Sequence, residues 1–106
     1  MIKLADFKNV EFRTAKILEV EEIPGADKIW KLRIDVGAEK KSIVAGIKAF
    51  YTKEALLGKN IVIVNNLEPA VIRGVESQGM LLAAKDGSKL TILTIDGDVP
   101  AGSAIG

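Results

Sequence analysis

The sequence predicts an all-β domain. Five strands close into a Greek-key barrel, with one short helix between strands 3 and 4 and an extension at each terminus. Three observations predict this. The apolar segments are short and punctuated by Gly, Pro and Asp, as in small barrels. Helical signals are confined to one stretch near the middle of the chain. The first apolar segment is long and changes its apolar phase midway, as a coiled strand does when it rounds a barrel corner. With 106 residues and 48% hydrophobic content, the chain is expected to form one domain, residues 1–106, with material for one core.

The elements follow in order. In "VEFRTAKILEVEEI" (residues 10–23), Val10 and Phe12 share one phase. Ala15 and Ile17 take the other, and Leu18 and Val20 return to the first. This predicts a strand bent by a bulge. "PGAD" (24–27) is a turn. "WKLRIDV" (30–36) alternates cleanly, with Trp30, Leu32, Ile34 and Val36 on one face and Lys31, Arg33 and Asp35 on the other. "GAEKK" turns the chain into "SIVAG" (42–46). "FYTKEALLGKN" is the helix: Thr52 caps it, Glu54 sits in the first turn, Gly58 ends it, and Tyr51 and Leu56, which could pair as a staple, read first as core residues. "IVIV" (61–64) is apolar throughout, so both faces need cover. After "NNLEPAVIRG" come a strand "MLLAA" (80–84), a turn "KDGS", a strand "LTILTI" (90–95) and the tail "DGDVPAGSAIG". This is the element order of an OB-fold, whose ligand surface is usually the outer face of strands 2 and 3 with their flanking loops.

Composition excludes much chemistry. There is no histidine and no cysteine, which removes the usual general base, the usual zinc ligands, thiolate nucleophiles and disulfides. "GADKIW" and "GIKAFY" lack phosphate-loop spacing. "DGD" at 96–98 offers two carboxylates in a turn with no further ligand beside them. A non-catalytic protein is expected, with no cofactor and no metal. The net charge of +1 does not announce a nucleic-acid partner, but its distribution is uneven. Residues 27–48 carry six Lys/Arg against three acids, and residues 90–106 carry none against two. A local cationic patch binds phosphates modestly and in a salt-sensitive way.

A binding surface remains. Its candidates are Lys28, Lys31 and Arg33 on and before strand 2, Lys40 and Lys41 in the hairpin, Asn65 and Asn66 after strand 4, and Arg73, Ser77, Gln78 and Met80 in "RGVESQGM". Aromatic residues make up only 5% of the chain, so recognition of backbone and shape fits better than stacking on many bases. The polar candidates each have a second reading. Asn65 and Asn66 hold a turn, Met80 begins a core strand, and the 73–80 segment is a plain turn feeding that strand.

Three segments carry a resemblance: "VEFRTAKILEVEEIPGADKIWKLRIDVG", "SIVAGIKAFYTKEALLGKNIVIVNNLEP" and "RGVESQGMLLAA". Together they resemble the tRNA-binding domain family from about Asp6 to Gly106. That family includes the C-terminal domain of methionyl-tRNA synthetases, free-standing tRNA-binding proteins and synthetase-associated cofactors. The resemblance implies an OB-fold, a homodimer and binding of tRNA by shape. Since the chain begins and ends with the domain, it looks like the separate β subunit of a methionyl-tRNA synthetase, assisting a catalytic subunit in trans, or a free-standing relative; the absence of cysteine is compatible with a cytoplasmic setting. By motif position it implies that Asn66, Ser77 and Met80 contact tRNA, with Lys31, Arg33 and Arg73 as phosphate partners. Glu68, Ala70 and Val71 stand where some relatives carry basic residues, which thins the positive patch. The alternative implied by the same family is a chaperone-like, protein-binding dimer that uses an apolar groove. The N-terminal "MIKLADF" and the tail after Leu90 are the expected dimer contacts, because apolar segments with few charges need cover.

Overall fold

A computed structural model describes residues 1–106 throughout, and the long first strand is present as β1 (Phe12–Ile23). Its buried residues change parity from Ala15 and Ile17 to Val20 and then to Ile23. The register against β2 (Ala26–Asp35) slips twice, between Ile17 and Glu19 and between Glu22 and Ile23. Each slip moves the apolar set to the opposite face, so the phase change in the sequence is a pair of bulges that bend the strand. In β2, Trp30, Leu32 and Ile34 are buried as their alternation requires.

β3 (Lys40–Ala45) and β4 (Asn60–Val64) complete the frame. Beyond β4 lie β5 (Ala70–Ile72), β6 (Val75–Ser77), β7 (Met80–Leu81), β8 (Ala83–Asp86) and β9 (Lys89–Ile92). The main sheet has the antiparallel order β3-β2-β1-β4-β7, in which β4 returns beside β1 as a Greek key demands. Its two ends meet where the Gln78 N–H donates to Ser42 O at 2.9 Å. Ile17, Leu32, Ile34, Ile43, Ile61 and Ile63 fill the interior and are nearly inaccessible. Burial of each such side chain is worth about 1.5–3 kcal/mol.

The helix is α2 (Lys53–Leu56), after α1 (Leu4–Phe7) near the N-terminus. Thr52 caps α2 by accepting the Ala55 N–H, and Gly58 follows at φ +80°. Leu56 plugs the core, and Tyr51 packs against the same cluster. Trp30 Nε1 donates to Tyr51 O at 2.9 Å, and the Tyr51 hydroxyl accepts the Ile92 N–H at 3.0 Å. These bonds tie the helix start to both β2 and β9.

Several expectations need correction. The first strand starts at Phe12, because the Val10 N–H turns back to Phe7 O at the end of α1 and the Glu11 N–H is taken by Asn66 Oδ1. "MLLAA" is two strands: Leu82 gives its N–H to Val62 O and its C=O to the Leu93 N–H, so pairing passes there from β4 to β9. "LTILTI" ends as a strand at Ile92. All four residues of "IVIV" are buried within this one chain, so they need no second subunit. The β5–β6 hairpin was not anticipated. Nor was the docking of the tail on the free edge of β1. There the Thr14 N–H donates to Ser103 O, the Gly102 N–H to Thr14 O, and the Ile105 N–H to Phe12 O. The buried Thr14 hydroxyl reinforces this by donating to Pro100 O and accepting the Ser103 N–H.

Candidate nucleic-acid interface

Alternation along β2 points Lys31 and Arg33 outward. The antiparallel register then places Glu21 opposite Lys31 and Glu19 opposite Arg33. Lys31 Nζ lies 4.0 Å from Glu21 Oε2, and Arg33 Nη1 donates to Ser42 Oγ at 3.4 Å. Exposed pairs of this kind contribute little to stability. Their effect is to thin the positive field over the strand. Glu19 and Glu21 were missed as parts of the surface, although antiparallel pairing of the first two strands would have placed them there.

The β5–β6 hairpin stands beside this face. Arg73 and Gly74 form its two-residue turn, with φ of +52° and +79°. Such a turn prefers Asn-Gly, and an arginine at positive φ is uncommon. Val75 anchors the hairpin against the small cluster of Ile23, Ala26 and Val44 with Ile29. A depression of about 270 Å³ on one side is lined by Gly25, Asp27, Lys28, Ile29 and Arg73. Another of about 290 Å³ on the other side is lined by Lys31, Ser42, Glu76 and Gln78. The hairpin therefore has Lys28 and Arg73 along one side and Lys31 and Gln78 along the other, with Arg33 joined through Ser42 and the Gln78 Oε1 accepting the Ser42 N–H.

Three candidates do not bring a free polar group to that surface. Ser77 is 6% exposed. Its hydroxyl accepts the Val44 N–H at 2.9 Å and donates to Gly79 O at 3.1 Å. Lys41 shares the inward phase of Ile43 and Ala45, and its side chain is only 12% exposed. It binds Asn65 O and Oδ1 at 3.1 and 2.8 Å, and Glu39 at 3.4 Å. Asn66 uses both ends of its amide, accepting the Glu11 N–H and donating to Asn9 O. Met80 is exposed, but it lines a separate apolar groove next to Val44 and Leu81. The 73–80 segment thus divides its roles: a hairpin tip, a barrel seam, and the start of β7.

Asn65 and Asn66 belong to a clasp on the N-terminal segment. Arg13 Nε donates to Glu11 Oε1 at 2.8 Å, and Asn65 Nδ2 donates to the same oxygen at 3.2 Å. The Arg13 contact first, then the Asn65 contact, holds the Glu11 carboxyl below its ordinary range. A depressed carboxylate adds stability above its unfolded pKa and loses it as pH falls through the folded value. Relative to its intrinsic rate, hydrogen exchange at the Asn65 amide, which donates to Glu11 O at 2.7 Å, should therefore be flat at neutral pH. It should rise as pH falls below the ordinary carboxylate range and through the depressed folded value. Glu11→Gln should remove that rise.

Comparison with known proteins gives a consistent neighbourhood. The family model described as "Putative tRNA binding domain" matches residues 12–104. A methionine–tRNA ligase of Thermotoga maritima is 51% identical over 104 residues, which is 98% of this chain and 16% of that protein. The chain thus spans about a sixth of the relative's length. Among solved structures, a MetRS-related protein from Pyrococcus horikoshii superposes with a TM-score of 0.95 at 32% identity, covering 100% of this chain and 98% of that one. The CsaA chaperone protein from Picrophilus torridus superposes with a TM-score of 0.92 at 33% identity, covering 100% of both chains.

Proposed function

The chain belongs to the tRNA-binding domain family, and from that premise we propose a non-catalytic tRNA-binding module that acts as the cytoplasmic β subunit of a methionyl-tRNA synthetase. It holds tRNA for a separate catalytic subunit and takes no part in the chemistry. The observation that supports this reading is that cations flank both sides of one hairpin, Lys28 and Arg73 on one and Lys31 on the other. Cations spaced over a shallow surface track phosphates whatever the sequence. Glu19 and Glu21 in the facing strand keep the affinity modest.

A filter-binding titration of several tRNAs across salt concentrations tests the reading. Affinity should fall steeply with salt, and similarly for each tRNA. Lys31→Ala with Arg33→Ala should weaken all of them alike and reduce the salt slope by about one unit for each phosphate no longer neutralised. Glu19→Gln with Glu21→Gln should do the opposite and tighten binding. If all four changes leave binding unaltered, β2 is not part of the site.

The module is further proposed to act as a homodimer. Met1, Ile2, Leu4, Phe7 and Val10 are exposed, and the Phe7 and Phe12 rings lie 5.7 Å apart beside the tail. An apolar face of this kind suits a two-fold contact, and sedimentation across a concentration series measures it. A second reading, a chaperone-like protein-binding dimer, draws support from the apolar groove beside Met80. Salt-insensitive binding of unfolded peptide, without tRNA binding, would favour that reading.

A further inference from the structure

The barrel seam does not close along its whole length. Ser42 and Val44 direct their N–H groups outward along the edge of β3, where Gln78 and Ser77 satisfy them. Gly46 is the next residue of the same parity. Neither its N–H nor its C=O makes a hydrogen bond within the chain. β7 has only two residues and pairs with β4, so nothing reaches across to Gly46. The gap that results is a groove of about 360 Å³ walled by Val44, Ala45, Ile47, Met80, Leu81 and Leu90. Its one charged residue is Lys85, which is exposed and makes no ion pair.

We propose that this groove takes one unpaired nucleotide of an RNA, with its base against Met80 and Leu90, its polar edge on Gly46, and its phosphate on Lys85. The proposal rests on the RNA-binding reading above and adds a second contact site to it. The volume is near the lower end of the roughly 300–1,000 Å³ range for small-ligand sites, enough for a ring and its sugar. A flat apolar wall holds a base face without regard to identity, and the thioether of Met80 is polarizable and adapts to it. Every base offers a donor next to an acceptor on its pairing edge, which is what an unpaired main-chain N–H and C=O can satisfy. Within a duplex that edge is occupied, so the groove selects an unstacked loop or terminal nucleotide. A lone cation without an acid favours an anionic occupant over an apolar peptide side chain.

The test uses the full chain, isotope-labelled for amide NMR, with three probes: a mixed-sequence single-stranded RNA hexamer carrying 2-aminopurine, a blunt RNA duplex, and an apolar octapeptide. Whole tRNA serves as the reference. The hexamer should shift Gly46, Ile47, Leu81 and Lys85 and change 2-aminopurine fluorescence, and the duplex should leave those amides in place. Lys85→Glu, on an exposed strand position, should weaken the hexamer by about tenfold, the loss of one charge-assisted hydrogen bond. If tRNA shifts Lys31 and Arg73 while neither it nor the hexamer moves Gly46, the groove is not a nucleotide site and the main reading stands. If the peptide alone moves the groove amides, the groove is a protein-binding site. If no RNA shifts any amide, both readings fall together.

Discussion

Gly102→Ala is expected to lower stability by roughly 2–4 kcal/mol and Tm by about 10 °C or more. Gly102 sits at φ +85°, where a β-carbon costs about 1–2 kcal/mol by itself. That β-carbon would also collide with Val36 O and lie 2.9 Å from Val36 C. The obstacle is backbone, so no side chain can swing away. Across the contact, Gly37 is built the same way, with its own β-carbon position 2.5 Å from Ala101 O. The tail and the β2–β3 turn therefore cross main chain to main chain. Once the tail lifts, three backbone bonds go with it: Gly102 N–H to Thr14 O, Thr14 N–H to Ser103 O, and Ile105 N–H to Phe12 O. Hydrogen exchange at Thr14 reports the lift directly. Gly58→Ala is the control. Its φ is +80° but nothing lies within 4 Å of the added carbon, so it should show only the conformational part. Equal losses at the two positions would mean that the crossing contributes nothing.

Local pattern explains why some of this was legible in the sequence. Strict alternation fixed the inward set of β2, and a parity change announced the bulges of β1. The Thr52 cap and Gly58 bracketed α2 because capping chemistry is local. The tail was not legible. "PAGSAIG" has no period, and its pairing with Phe12–Thr14 depends on two glycines meeting across the fold. The β5–β6 hairpin was missed because Arg-Gly is a weak turn signal beside Asn-Gly. The candidate site was legible where side chains simply point outward, as for Lys31 and Arg33. It was less so for Lys41 and Asn66, whose chemistry would serve a phosphate as well as it serves Asn65, Glu39, Asn9 and Glu11. Phase alone could have separated Lys41, which has the parity of Ile43 and Ala45. No local rule could have found the partners of Asn66, more than fifty positions away.

Ser77→Ala should cost about 1–3 kcal/mol, a fall in Tm of roughly 5–15 °C, and leave tRNA affinity within about twofold when measured well below that Tm. The reason lies in how the seam is made. β6 pairs with β5 through its backbone, so toward β3 it offers side chains in place of a regular ladder. Ser77 Oγ takes the Val44 N–H, Gln78 Oε1 takes the Ser42 N–H at 3.2 Å, and one backbone bond from Gln78 joins them. A polar Ser-Gln pair immediately before an apolar strand is thus the closure of the barrel: two side chains stand in for carbonyls where the strands diverge. Alanine leaves the Val44 N–H and Gly79 O without partners in a place water hardly reaches. A role in direct contact with RNA predicts the reverse, an unchanged melting curve and a marked loss of affinity. Thermal melts and tRNA titrations on the same preparation separate the two. An unchanged Tm would show that the seam does not depend on the hydroxyl and would return Ser77 to the RNA surface.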